Sequence, residues 1–186
     1  MKKLRILVDM DEVLNNLLDG WVAYLNERHH LNANAQDIYA WDVGCVYPTL
    51  TPEEVEQPLY DDTLWERLAA KPGSVESLKT MIDDGHEIFV VTASSVYQTL
   101  PAKIDWLLKH YPYLTWDNVV LARRKQIVSG DVLIDDGIHN LEGGGYFKIL
   151  MDAPNNRAYD AEKNGMIRVY TLKEAYDVMK TVFVLP

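Results

Sequence analysis

Cysteine is nearly absent: the 186 residues contain one, Cys45. A lone thiol forms no internal disulfide and supplies no thiolate metal cluster, so neither kind of staple holds this fold. Long apolar runs are missing as well. The first, residues 4–8, is interrupted by Arg5 and stops at Asp9. That is too short for a signal-peptide core and far too short to span a bilayer. Positive charge is scarce, with 18 Lys and Arg against 28 Asp and Glu and a formal charge of −10. So acidic a balance argues against duplex nucleic acid and membrane surfaces as partners, because both require a basic footprint. It leaves room for a small molecule carrying phosphate, provided that a cation such as a bound divalent metal offsets the carboxylates locally. The cytoplasm is the expected compartment. A homodimer is compatible with the sequence, which does not fix the oligomeric state.

What is present is an ordinary globular mixture, 48% hydrophobic and 25% charged. A chain of this length buries roughly 70% of the surface of its unfolded form within one domain. Short aliphatic and β-branched runs recur at residues 4–8, 87–92, 118–121, 131–134, 147–151 and, more briefly, 167–170. Between them the spacing predicts helices over 75–83, 101–110 and 172–182, the first capped by Ser74 after the Pro72-Gly73 turn. Continuous apolar strands alternating with helices indicate an α/β fold: a Rossmann-like parallel sheet with helices on both faces. The stretch 16–71 breaks this alternation. It opens with an amphipathic helix through Leu17, Leu18, Trp21, Tyr24 and Leu25, and continues into a region rich in proline and aromatic residues. About 55 residues between two core strands are too many for a loop. They are read as a small helical cap inserted after the first strand, with the catalytic core formed by 1–15 and 72–186.

Ligands of open α/β sheets bind beyond the carboxyl ends of the strands. The first run is followed by Asp9-Met10-Asp11 and the second by Thr92-Ala93-Ser94-Ser95; Ala122-Arg123-Arg124-Lys125 follows the third and Asp135-Asp136-Gly137 ends the fourth. Each alone has an ordinary explanation in turn chemistry, a strand-end threonine or a solvated basic run. Together they bring two acidic pairs, a hydroxyl and a lysine to one edge of the sheet. Carboxylates so clustered repel one another unless a cation sits among them. His29, His30 and His139 have no metal-site spacing and are read as surface or structural positions.

The order Asp-x-Asp, Thr, Lys, Asp-Asp resembles the haloacid dehalogenase-like superfamily, mostly aspartate-nucleophile phosphatases. Within it, the chain is similar to the 5'(3')-deoxyribonucleotidase family. Val8-Asp9-Met10-Asp11, the insertion directly after it, and the run from Val120 to Asp136 carry that likeness. The resemblance implies a magnesium-dependent phosphomonoesterase that dephosphorylates (deoxy)ribonucleoside monophosphates through an aspartyl-phosphate. It implies Asp9 as nucleophile and Asp11 as the acid and base. Thr92 and the backbone near Ala93 would hold phosphate oxygens, and Lys125 would neutralise charge. Mg2+ would be held by the Asp9 carboxylate, the Asp11 backbone carbonyl and Asp136, with Asp135 supporting; which of the adjacent aspartates binds directly stays open. Leu17 stands where the mammalian enzymes carry a phenylalanine, and Tyr39 and Trp41 lie about where the family carries an aromatic pair; all three are expected at the substrate. Glu12 replaces a glycine common after the acidic pair. Two other readings remain. One is a phosphatase for another small phosphomonoester such as a sugar phosphate. The other is a phosphoacceptor signalling domain, although there the acidic pair comes first and the phosphorylated aspartate lies on a later strand.

Overall fold

The apolar runs become strands because a parallel sheet buried on both faces has no use for polar positions. The computed structural model describes residues 3–184. Its strands are β1 (Arg5–Val8), β2 (Glu87–Thr92), β3 (Val119–Leu121), β4 (Val132–Asp135), β5 (Phe147–Met151) and β6 (Ile167–Val169). They form one sheet in the order β3-β2-β1-β4-β5-β6, with every neighbouring pair parallel. The chain runs outward from β1 through β2 and β3, then restarts on the other flank of β1 with β4. The order reverses between β1 and β4, where a sheet of this kind opens a crevice.

The helices are α1 (Leu17–His29), α2 (Pro52–Glu56), α3 (Thr63–Glu66), α4 (Ser74–Asp83), α5 (Leu100–His110), α6 (Ile138–Leu141) and α7 (Leu172–Val182). Alternate strand residues sort onto the two faces, as a period of two requires. Ile6, Val8, Val90, Val132 and Ile134 pack with Met81 of α4, Leu107 of α5 and Met179 of α7. Leu7, Val91, Leu133 and Leu150 face the other way, against Leu141 of α6, Tyr146, Ala161 and Met166. Each such side chain withdrawn from water stabilises the fold by about 1.5–3 kcal/mol. Ser74 does not cap α4. Gly73 takes that position in a left-handed conformation (φ 72°), and the Ser74 hydroxyl instead donates to the Lys71 carbonyl at 2.6 Å.

Residues 16–71 contribute no strand to the sheet. Their helix α1 is buried on two sides. Leu18, Val22 and Leu25 meet Ile38, Val43, Tyr47 and Val55 in a separate cluster. Leu17 joins Leu64, Trp65 and Leu68 in the main core. The chain leaves and returns at one place. Asn15 and Ala70 form an antiparallel bridge, the Lys71 amide donates to the Leu14 carbonyl at 2.9 Å, and Asn16 Oδ1 accepts from the Ala69 amide at 2.7 Å. Among the described residues no helix is long and apolar enough to cross a membrane.

Candidate active site

The acidic pairs meet because β1 and β4 are neighbours. The Asp9 amide donates to the Ile134 carbonyl at 2.9 Å, so the turn after β1 begins level with the end of β4. The turn after β4 is built on glycine. The Gly137 amide donates to Asp135 Oδ1 at 2.8 Å, and a Cβ at Gly137 would lie 2.8 Å from Asn140 Nδ2 and 3.0 Å from Asp135 Oδ1. Lys125 reaches between the strands from the short helical turn that follows β3. Its ammonium lies 2.6 Å from Asp9 Oδ1 and 2.7 Å from Asp135 Oδ2, and its side chain is buried. One carboxylate oxygen from each of Asp9, Asp135 and Asp136 lies within 4.8 Å of the other two.

One buried ammonium among so many carboxylates leaves negative charge uncompensated. Burial, followed by the neighbouring Asp135 and Asp11 carboxylates, outweighs Lys125 and pushes Asp9 up to about 7. Burial, then Asp135, Asp9 and Glu12, pushes Asp136 well above the usual carboxylate range. Burial lowers Lys125, but Asp9 and Asp135 hold it above its ordinary value, so it stays an ammonium. The cluster therefore has the charge of a cation site.

The adjacent aspartates differ in their surroundings. Asp135 is fully buried, with Oδ1 accepting from Gly137 and Asn140 and Oδ2 held by Lys125. Asp136 instead lines a cleft of about 480 Å³ over the strand ends, together with Asp9, Asp11 and Lys125. Asn155 lines it too, and its buried Oδ1 has no hydrogen-bond partner among the described residues. On Asp9, Oδ1 takes the Met10 amide at 2.7 Å as well as Lys125.

The residues expected at the substrate separate. Leu17, Trp41 and Ala93 line the cleft. Tyr39 does not: it is 72% exposed and absent from the lining. Its neighbour Ile38 is buried in the cluster of the inserted segment, while Tyr39 stands exposed just before the bend at residues 40–42. Thr92 lies beneath the lining rather than in it. Its buried hydroxyl makes only a 3.5 Å contact with the Ala93 carbonyl, longer than a good O–H···O bond. Residues Ala93, Ser94, Ser95 and Val96 form the wall above it.

Several lining residues carry no site role in the sequence alone. His139 is neither a surface nor a purely structural position, since its ring meets Trp41 edge-on at 4.6 Å and both line the cleft. Arg123 is also in the lining. Lys103 of α5 is 2% exposed and donates to Asp11 Oδ2 at 2.5 Å and to the Ala93 carbonyl at 2.8 Å. Its signal was faint: Lys103 stands three and four residues before Trp106 and Leu107, on the buried stripe of an amphipathic helix. Glu12 adopts a left-handed backbone (φ 55°), a conformation that costs a side-chain-bearing residue roughly 1–2 kcal/mol. Its carboxylate is held by Lys71 at 2.7 Å and by the Leu18 amide in the first turn of α1 at 2.8 Å.

Comparison with known proteins places the chain in a family. A 5'(3')-deoxyribonucleotidase of Bacillus subtilis is 39% identical over 175 residues, spanning 94% of this chain and 96% of the relative. One from Clostridium acetobutylicum is 27% identical over 158 residues, or 85% and 87% of the two chains. A haloacid dehalogenase-like hydrolase from Streptococcus pneumoniae superposes with a TM-score of 0.66 at 11% identity, covering 95% of this chain and 98% of its own. A second such hydrolase, from Deinococcus radiodurans and crystallised with bound phosphate and sodium, gives 0.65 at 13% identity over 97% and 96%. The sequence model of the family described as 5' nucleotidase, deoxy (pyrimidine), cytosolic type C matches residues 2–184. With that match over nearly its whole length, and with the haloacid dehalogenase-like fold beneath it, the chain belongs to this deoxyribonucleotidase family.

Proposed function

We propose that the protein is a magnesium-dependent phosphomonoesterase that dephosphorylates nucleoside monophosphates, deoxyribonucleotides above all, through an aspartyl-phosphate. The observation that carries this reading is the convergence of Asp9, Asp136 and Lys125 at the crevice between β1 and β4. The names of the relatives supply the substrate class.

The donor set suits a hard divalent cation. It consists of carboxylate oxygens with no thiolate or imidazole among them, a combination that favours magnesium over zinc. Asp9 and Asp136 would hold the ion with the Asp11 backbone carbonyl, while Asp135, its oxygens already engaged, would support Lys125 from behind. When bound, the ion would offset the charge of the carboxylates and of the incoming phosphate.

Asp9 Oδ2 attacks phosphorus; the new O–P bond forms as the bond to the alcohol oxygen breaks. Asp11 gives its proton to the departing alkoxide, so the alcohol leaves neutral. Asp11, now a carboxylate, then takes a proton from the water that attacks the phosphoryl group on Asp9. Phosphate departs and both aspartates are restored. The uncommitted Thr92 hydroxyl and the amides near Ala93 are suited to phosphate oxygens, and the Lys125 ammonium to the charge spread over them. Residues 16–71 act as the cap, with Leu17 against the substrate and Trp41 on the base; Tyr39 has no part in this reading. The cytoplasm, where nucleoside monophosphates are found, is its place of work.

Phosphate release across nucleoside monophosphates and sugar phosphates, with magnesium and with chelator, tests the proposal. Turnover that prefers deoxyribonucleotides and is lost in chelator is expected. Preference for sugar phosphates would move the substrate, and full activity in chelator would remove the metal. Asp9→Asn is expected to abolish turnover and keep the fold, so substantial activity in that variant would refute the nucleophile.

A further inference from the structure

Asp11 is gripped at both carboxylate oxygens by buried side chains. Asn15 Nδ2 donates to Oδ1 at 3.0 Å, and Lys103 Nζ lies 2.5 Å from Oδ2. Asn15 is itself fixed, its own Oδ1 accepting from the Glu12 and Leu17 amides at 3.3 and 3.1 Å. Lys103 is fixed too. Its stem is part of the buried face of α5, its second proton goes to the Ala93 carbonyl at 2.8 Å, and its ammonium lies 5.3 Å from the centre of the Trp65 ring. A lysine whose side chain is only 3% exposed gives up most of its hydration, and burying it is unfavourable unless its partners replace that water. Two acceptors and an aromatic face make the replacement here.

We infer that Lys103 is a positioning residue for the reaction: it holds the Asp11 carboxylate beside the departing oxygen and ties it to the wall that begins at Ala93. The inference rests on the nucleotidase reading and adds to it the part that aims the acid and base. An unanchored aspartate two residues beyond the nucleophile is free to swing toward the cation cluster around Asp9. Lys103 and Asn15 each hold one of its oxygens, the first from the core helix α5 and the second from the last core residue before the inserted segment. Because the Trp65 ring belongs to α3 of that segment, seating the insertion on the core also completes the surroundings of the ammonium.

Leaving groups separate this role from a merely structural one. A sugar alkoxide must be protonated as it departs, whereas p-nitrophenolate leaves without a proton, so only the first substrate needs an aimed acid in the bond-breaking step. Both need an aimed base in the second step, when water attacks the phosphorylated Asp9. Lys103→Met is therefore expected to lower kcat about 100-fold on a deoxyribonucleoside monophosphate, within the usual range for a lost acid or base, with KM nearly unchanged. On p-nitrophenyl phosphate the same variant is expected to release a burst of about one equivalent of nitrophenolate per site, then turn over slowly as the second step becomes limiting. Lys103→Arg, which restores a cation opposite Oδ2, is expected to recover much of the rate. Lys103→Gln replaces the methionine variant if that one does not fold. Equal losses on both substrates without a burst overturn the inference in favour of a structural role. A raised KM together with weaker inhibition by inorganic phosphate overturns it in favour of direct phosphate binding. Asp11→Asn is measured alongside. A burst with Asp11→Asn but none with the Lys103 variant means that the clamp fails while the mechanism stands; no burst with either means that the acid and base assignment fails with it.

Discussion

Chelator is expected to lower the melting temperature far more at about pH 8 than at about pH 5, and magnesium to abolish the difference. Asp9 holds its proton up to about 7 in the folded protein, against an ordinary value of 3.8, chiefly because it is buried. A carboxyl raised by folding contributes stability that is fully present below its unfolded value and is lost as the pH climbs through its folded one. The window for Asp9 therefore runs from about 4 to about 7. Each tenfold in proton affinity is worth about 1.4 kcal/mol, so Asp9 alone destabilises the metal-free protein by roughly 4 kcal/mol across that window. Asp136 and Glu12, both raised and both buried, act in the same direction. For a chain of this size 4 kcal/mol corresponds to about 10 °C. Asp61 and Asp177, held below the usual carboxylate range by Tyr24 and Lys173 respectively, have the opposite sign, but both act at lower pH. A divalent cation binds the ionised carboxylates of the folded state, so its stabilisation grows with pH. The assay is thermal unfolding in chelator and in magnesium over this range, with Asp9→Asn as the control that flattens the slope. A melting temperature in chelator that stays level or rises between about pH 5 and about pH 8 would refute the reasoning, as would a magnesium effect equal at both ends.

Lys125→Met leaves Asp9 and Asp135 facing one another without their ammonium. Stripping one partner from a buried set costs about 3–5 kcal/mol, to be read by denaturant unfolding, and turnover should fall by orders of magnitude; near-normal kinetics would remove the lysine from the site. Trp41→Ala takes away the aromatic ring at the mouth of the cleft. Since base stacking on such a ring is worth about 1–3 kcal/mol, KM for nucleotides should rise roughly tenfold or more while that for p-nitrophenyl phosphate holds. An equal rise for both would show that the ring does not meet the base.

The sheet and the ends of its strands were readable because strands buried on both faces leave an unambiguous mark, and whatever follows them falls on one edge. Asp9, Lys125, Asp135 and Asp136 were found that way. Rank within the acidic pair was not, since adjacent aspartates look alike until Lys125, Gly137 and Asn140 are seen to occupy Asp135 and leave Asp136 to the cleft. The inserted segment was harder, because its short turns carry no period long enough to orient a ring. Tyr39 and Trp41, two residues apart, part company: Tyr39 stands exposed beside the buried Ile38, while Trp41 sits in the bend that follows, against the His139 ring. Lys103 escaped notice for a different reason. A single lysine in an amphipathic helix normally extends to solvent along its stem, and only the tertiary fold supplies the acceptors that keep this one inside.

The doorway through which residues 16–71 depart and come back is narrow, a short run of pairing between residues 14–16 and 69–71, and the Glu12–Lys71 ion pair latches it. Because its two ends enter and leave side by side, the graft can change in length without moving the strands that flank it, although Leu17, Leu64, Trp65 and Leu68 also seat it on the core. The graft supplies one wall of the cleft, through Leu17, Trp41 and Trp65, while residues 93–96 of the core supply the facing one. Changes in the graft's length or lining would therefore alter which alcohol is accepted without displacing Asp9, Lys125 and Asp136 beneath it.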